Sequence, residues 1–479
     1  GDWTAYEANY NSPVTLVSAN LDNPATFTKL DLQGVSNLTF KGLKFDYEFQ
    51  ANDTNWGKNF TIDKSSDITI SNSVFDGDLA SGTGTPSDGY ATGIGLYVRN
   101  SSGIAVDNNE FHTFGDALYV GNSSDIEVTN NEVHGIMSDG FDFAAVQSVL
   151  IEGNHIHDFD RSPESTAHAD MIQFWTNGTD TPSTDIIIRN NILDIGEGGW
   201  TQSIFMRNDM VDRGLAGPEM FYQNILIEEN VILNGHPHGI TVGETDGLTI
   251  RNNTVLSIDA SDSRIFSSPT INVSGTSTSV SIQHNAVAAI NGYDTQTDWV
   301  LGNNAFIQVS DPNSPGYYAD LFLESSSEGR ESIWSYIVAP GSMIDNLSAG
   351  ASLLQLDTTP STVSPHFEVT SSSSTAQTLV FDATHTYGSA GQITSDDASF
   401  VWLFGDGTTA TGRVVEHTYA KASNYDVKLE VLLDGQEAVA TVKAYAEVGV
   451  VGSDVLALDS SCVQVFLQGY GTFIALLFN

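Results

Sequence analysis

One phrase recurs along the chain and restricts what it can fold into. A short β-branched strand runs into a polar pair ending in Asn, and another apolar strand follows. It reads Asp67-Ile68-Thr69-Ile70-Ser71-Asn72, then Gly103-Ile104-Ala105-Val106-Asp107-Asn108-Asn109, then Asp125-Ile126-Glu127-Val128-Thr129-Asn130-Asn131, and Asp185-Ile186-Ile187-Ile188-Arg189-Asn190-Asn191. Further copies occupy residues 224–230 and 247–253. Asn109 and Asn131 are 22 residues apart, and Asn131 and Asn154 are 23 apart. A repeat of that length, holding several period-two strands, is the mark of a solenoid. Each coil leaves apolar surface uncovered until a neighbour stacks on it about 4.8 Å away. The spacing of 37 from Asn154 to Asn191 implies an insertion on a tolerant face. Helix-length amphipathic patterns are nearly absent, so the expectation is an all-β parallel β-helix over residues 1–345.

The rest of the chain divides by composition. Residues 346–376 are rich in Ser, Thr and Pro, as in Thr358-Thr359-Pro360-Ser361, and read as a linker. Residues 377–450 resemble a PKD domain, through Trp402-Leu403-Phe404-Gly405-Asp406-Gly407, His417-Thr418-Tyr419 and Tyr425-Asp426-Val427-Lys428-Leu429. That resemblance implies a seven-stranded β-sandwich acting as a spacer or glycan-proximal accessory, without chemistry of its own. Residues 451–479 are strand-like, and their role is unknown. At the other end, Pro13 to Ser18 and Asn37 to Phe45 look like the opening coils of β-helix polysaccharide lyases, which implies a right-handed solenoid.

Charge narrows the partners. Sixty acidic residues against seventeen basic ones give a formal charge of −43 and a pI near 4.1. Such a surface repels nucleic acid and anionic membranes and stays soluble in high salt, which suits a saline or marine setting. With 40% hydrophobic residues and 24 Phe, this is no disordered acidic tail. A single cysteine, Cys462, excludes an intrachain disulfide framework. No apolar run is long enough to span a bilayer. The chain opens on Gly1-Asp2-Trp3, from which a removed N-terminal segment is expected; a secreted monomer is expected besides.

Five successive coils align through Asp116 to Gly121, Asp139 to Ala144, Asp170 to Trp175, Gln202 to Arg207 and His238 to Gly243. Strand alternation sends Leu118, Phe141, Ile172, Ile204 and Ile240 inward, with Val120, Phe143, Phe174, Met206 and Val242. Three outward columns remain. One holds Tyr119, Asp142, Gln173, Phe205 and Thr241, and the next holds Gly121, Ala144, Trp175, Arg207 and Gly243. The leading column holds Asp116, Asp139, Asp170, Gln202 and His238. Aspartates stacked at coil spacing repel unless one keeps a proton or a cation sits among them, so Asp139, Asp142 and Asp170 form a candidate calcium site. The competing expectation is that an Asp before a strand caps backbone amides. His155 and His157 read as surface residues, and His236-Pro237-His238 fits a site or a surface equally well. No organic cofactor is expected. The candidate site is Asp139, Gln173, Trp175, Phe205 and His238 for binding, with His168, Asp170, Arg207, Asp142 and Tyr119 for chemistry.

Family resemblances imply several chemistries. Ser138-Asp139-Gly140-Phe141-Asp142 and Pro237-His238-Gly239-Ile240-Thr241-Val242-Gly243 are similar to site phrases of polygalacturonase-type glycoside hydrolases. That likeness implies an acid–base pair, here Asp142 and Asp170, although the family's adjacent Asp pair stands here as Ala169-Asp170. Gly140-Phe141-Asp142 also looks like part of the mannuronan epimerase site, whose neighbouring Tyr and His are replaced by Asp139 and Ala144. β-Helix lyases imply β-elimination from a uronate, with His168 as base, Arg207 (with or without calcium) as carboxylate neutraliser and Tyr119 as proton donor. The leading expectation is such a lyase. The hydrolase, the epimerase and a non-catalytic glycan-binding or adhesin β-helix stand beside it.

Overall fold

The computed structural model describes residues 1–20, 23–50, 53–165, 168–196, 198–258, 268–323, 333–356, 363–365, 367–371, 378–388, 391–393, 398–420, 423–433, 436–446, 465–469 and 471–475. Cys462 and much of 451–479 lie outside these, as do Thr166 and Ala167.

Residues 1–318 with 346–352 form one compact unit. It contains three parallel sheets of eleven strands, and every coil gives one strand to each. Sheet one runs from Asp2–Tyr6 to Ile290–Asn291, sheet two from Asn9–Val17 to Val300–Gly302, and sheet three from Thr26–Phe27 to Ala305–Phe306. The recurring Ile-x-Ile or Ile-x-Val phrase is the sheet-two strand. Its first apolar residue follows Asp67, Gly103, Asp125 or Asp185, all at positive φ, where Gly, Asp and Asn are least strained.

The corner between sheets two and three is two residues long from 42–43 through 303–304. Its first residue turns the chain at positive φ, as at Asn108, Asn130, Gly153, Asn190 and Asn252. Its second is a buried Asn from Asn109 through Asn285. Asn154 Oδ1 accepts from the Asn131 backbone N–H at 2.9 Å, and Asn191 Oδ1 accepts from the Asn154 N–H at 2.9 Å. Each amide NH₂ donates back to an earlier coil, such as Asn191 Nδ2 to Ile151 O at 2.9 Å. A serine ladder does the same work at the next corner, where Ser65, Ser101 and Ser123 each accept a backbone N–H from the coil before at 3.1 Å. At the third corner, from sheet three back to sheet one, the connections range from residue 28 alone, through 113–115 and 158–168, to 77–93.

Between the sheets lies a continuous core of Ile, Val, Leu and stacked Phe. Phe45, Phe75 and Phe111 stack at 4.4 and 4.2 Å, and Phe143 stacks on Phe174 at 4.8 Å. Residues 346–352 return to this unit, where the Ala351 N–H donates to Thr254 Oγ1 at 2.9 Å.

The second unit contains a sandwich. One sheet pairs Glu368–Ser371, Thr378–Asp382 and Val414–Thr418; the other pairs Thr409–Thr411, Ala398–Leu403, Ser423–Leu433 and Gln436–Ala446. These two sheets hold seven strands, and a third sheet of Val363–Ser364, Tyr387–Gly388 and Gly391–Gln392 adds three short ones to the seven-stranded sandwich expected. Buried Trp402 packs on Phe367 and Phe381 between the sheets, and Tyr419 donates its hydroxyl to Phe404 O. Among the described residues, no helix is long and apolar enough to cross a membrane.

Candidate active site

Five neighbouring strands of sheet one build the site: β1 (Asp116–Gly121), β2 (Phe141–Ala144), β3 (Ala169–Trp175), β4 (Thr201–Arg207) and β5 (His238–Val242). Their pairing is the sequence alignment, with Tyr119 opposite Asp142, Asp142 opposite Gln173, Gln173 opposite Phe205, and Phe205 opposite Thr241. Asp170 pairs with Gln202, and Trp175 with Arg207. Gly140 permits this packing, because a Cβ there would lie 2.4 Å from Met171 O on the next strand.

The leading aspartates form a chain of caps, but across coils rather than within one. Asp116 Oδ1 accepts the Asp139 N–H at 3.2 Å, and Asp139 Oδ1 accepts the Asp170 N–H at 2.9 Å. Asp116, Asp139, Asp142 and Asp170 are all at least nine-tenths buried, so four carboxyls share one dry patch. Burial pushes Asp116 up to about 7. Burial and the neighbouring carboxylates raise Asp139 and Asp142 well above the ordinary aspartate range. Asp170 is also raised by burial, and the His168, Gln173 and Gln202 side chains oppose that rise. Burial and like charge therefore favour the protonated carboxyls in this patch, and Asp142 and Asp170 sit in different surroundings.

Asp142 Oδ1 accepts from Trp175 Nε1 at 2.5 Å. Asp170 Oδ2 accepts from Gln173 Nε2 at 2.6 Å and meets His168 Nδ1 at 2.9 Å. His168 is largely exposed, and its bond to Asp170 raises its pKa. Phe205, half-covered, stacks on His238 at 5.2 Å and lies 6.3 Å from His168. Gln202 Oε1 bonds His238 Nδ1, while burial holds His236 down at about 4 and lowers His238. On the other flank, Tyr97, Tyr119 and Trp175 form an aromatic row with centroids 4.7 and 6.4 Å apart. Burial raises the Tyr119 hydroxyl to about 12, so it stays protonated.

Arg207 is placed beside this patch, with its charge already matched. Its Nε lies 3.1 Å from Asp212 Oδ2 and 3.4 Å from Asp209 Oδ1, both on the turn of helix Asp209–Asp212. Asp139, His168 and Asp170 bring ligand atoms within 4.8 Å of one another. That trio contains an imidazole in place of the third carboxylate expected for calcium, which prefers oxygen ligands. The sequence reading missed a second cluster. His155 and His157, expected on the surface, are buried on sheet three against Glu132, at 2.8 and 2.6 Å.

The family model for a right-handed β-helix region matches residues 60–287, and the model for the PKD domain matches residues 362–448. The chain is a right-handed parallel β-helix carrying a PKD domain. Its similar solved structures include a surface adhesin of Streptococcus pneumoniae, 16% identical over 64% of this chain and 70% of that one, with a TM-score of 0.33. Another is a Yersinia enterocolitica Family 28 exopolygalacturonase, 11% identical over 60% of this chain and 48% of that one, TM-score 0.30. A third is an Acinetobacter baumannii bacteriophage tailspike, a capsular polysaccharide depolymerase, 10% identical over 92% of this chain and 73% of that one, TM-score 0.29. Comparison with curated protein sequences finds no match.

Proposed function

We propose that the β-helix is an extracellular glycan-cleaving enzyme that hydrolyses an acidic polysaccharide lying along sheet one. The observation that carries this reading is the register that sets the buried Asp142 carboxyl beside Gln173 on the strand of Asp170, whose carboxylate bonds His168. Asp142 is the general acid toward the glycosidic oxygen. His168, oriented by Asp170, takes the proton of the attacking water. Phe205, Trp175 and Tyr119 offer faces for sugar rings, while Gln173 and His238 offer polar atoms. Lys58 over the Tyr97 ring, Arg99 beside Tyr119 and Arg161 near His236 border this face in a chain with seventeen basic residues. That border supports an anionic sugar. The PKD domain serves as a spacer.

Hydrolysis is preferred to the elimination expected from the sequence because elimination needs a cation free to neutralise the uronate carboxylate. Arg207 is instead held by Asp209 and Asp212. One observation favours elimination as the second reading: the exposed imidazole of His168 is made more basic by Asp170. The test is incubation with a panel of polyuronates and glycosaminoglycans. New reducing ends without the ultraviolet absorbance of an unsaturated uronate, lost in Asp142→Asn, support hydrolysis. Absorbance that grows with the reducing ends transfers the case to elimination. Neither signal on any member of the panel refutes both.

A further inference from the structure

Sheet three carries a repeated pattern outside the proposed site. Directly after the ladder asparagines come Glu110-Phe111-His112, Glu132-Val133-His134 and His155-Ile156-His157. The middle residue of each is buried in the core, so the outer two share the opposite face. Register stacks them: Glu110 on Glu132, Glu132 on His155, and His112 on His134. Imidazoles therefore pile up, with His112 to His134 at 5.4 Å, His134 to His157 at 5.3 Å and His155 to His157 at 3.9 Å.

Glu132 is the centre of this pile. Its Oε1 faces His155 Nδ1 at 2.8 Å and His157 Nε2 at 2.6 Å, and ligand atoms of all three residues lie within 4.8 Å of one another. We infer that Glu132, His155 and His157 bind a divalent transition-metal ion, with zinc the best match to two imidazoles and a carboxylate. Hard ions such as calcium and magnesium favour all-oxygen sites, whereas imidazole suits zinc, copper, iron and nickel.

Two features beyond the three ligands support an ion. His157 presents Nε2 to the cluster while its Nδ1 bonds Asp158 Oδ2 at 2.5 Å. A carboxylate on the far nitrogen is what orients a metal-bound histidine and fixes its tautomer. Asp158 holds that position at positive φ, and Gly196 makes room for it. A Cβ on Gly196 would lie 2.1 Å from Asp158 Oδ1. Glu132, His155 and His157 are also nearly fully buried, at 4, 2 and 4% exposure, so their ligand atoms converge away from solvent. With zinc–ligand bonds of about 2.0–2.2 Å, tetrahedral ligands stand roughly 3.3 Å apart, so the ion needs side-chain shifts of roughly 0.5 Å. Glu110, one coil before Glu132, and His134, on the same strand as Glu132, are partly exposed and provide a way in.

The experiment is titration of the chelator-treated full chain with Co²⁺ and Zn²⁺. It is followed by the visible absorption of cobalt and by calorimetric stoichiometry, with circular dichroism to check folding. The expected result is one tight equivalent, lost in Glu132→Gln and His155→Gln and kept in His168→Ala. Asp158→Asn, a change at a partly exposed residue, should weaken affinity by about 10–100-fold without unfolding the chain. No cobalt absorption in the wild-type chain overturns the inference. So does affinity unchanged by Asp158→Asn, or binding that disappears in His168→Ala alone, since that assigns the ion to the other sheet.

Discussion

Replacing Asn191 by Ala tests the inter-coil ladder where it matters most, between the coils that carry Asp142 and Asp170. The substitution deletes four hydrogen bonds. Asn191 Oδ1 accepts from the Asn154 N–H and Asn154 Nδ2, both at 2.9 Å, while Asn191 Nδ2 donates to Ile151 O at 2.9 Å and Asn230 Oδ1 at 3.0 Å. At about 0.5–1.5 kcal/mol net each, their loss is about 2–6 kcal/mol. The Asn154 backbone N–H is left in a fully buried position, and an orphaned donor alone costs about 1–3 kcal/mol, which places the total in the upper half of that range. Urea unfolding followed by circular dichroism reads the shift in the β-helix transition. Asn190→Gly is the control. Asn190 itself sits at positive φ, which Gly adopts freely, and its side chain donates one bond of 3.2 Å to Glu152, so the change should stay within about 0.5 kcal/mol. A loss below about 1 kcal/mol in Asn191→Ala, or equal losses in the two variants, would refute the ladder argument.

Further outcomes follow from the site. Asp142→Asn should reduce kcat by about 10²–10⁴-fold with the fold intact, as removal of a general acid does; unchanged turnover would remove Asp142 from the mechanism. Because Asp170 raises the pKa of His168 above 6.5, activity should climb on a limb lying above that pH, and His168→Gln should abolish the limb. Asp116 binds its proton more tightly when folded, so between about 4 and 7 the folded state holds more protons than the unfolded one, and stability falls as pH rises. Asp116→Asn should flatten that part of a melting-temperature profile, and an unaltered slope would contradict it. Tyr119→Ala should raise KM more than it lowers kcat if the aromatic row binds sugar, a split readable from initial rates.

The coil repeat and the outward columns were legible in the sequence because both obey a period of two inside strands and a fixed corner between them. Ile126, Ile186 and Leu248 announce the core directly, and Asn131 and Asn191 mark the corner. The sequence could not say what Asp116 and Asp139 cap, since their acceptors and donors lie one coil away, across an insertion of variable length. Arg207 was read as free because its partners, Asp209 and Asp212, lie on a short helix with no periodic signal. His155 and His157 were read as exposed because a three-residue strand is too short to reveal which face is covered. The signal that would have found them is the acid or His, apolar, His triplet directly after three successive ladder asparagines.

The three corners of each coil obey different rules. Where sheet two meets sheet three, the length never changes from 42–43 to 303–304, so the rise of the spiral is locked there. Where sheet three returns to sheet one, the chain spends anywhere from one residue at 28 to seventeen at 77–93. The leading column of Asp116, Asp139 and Asp170 stands directly beside that permissive corner. Segments there can lengthen, shorten or be exchanged, reshaping a wall of the groove, while the vertical spacing of the acidic column stays set from the opposite edge. In such a scaffold the recognition of a substrate and the alignment of the reacting groups can be altered separately.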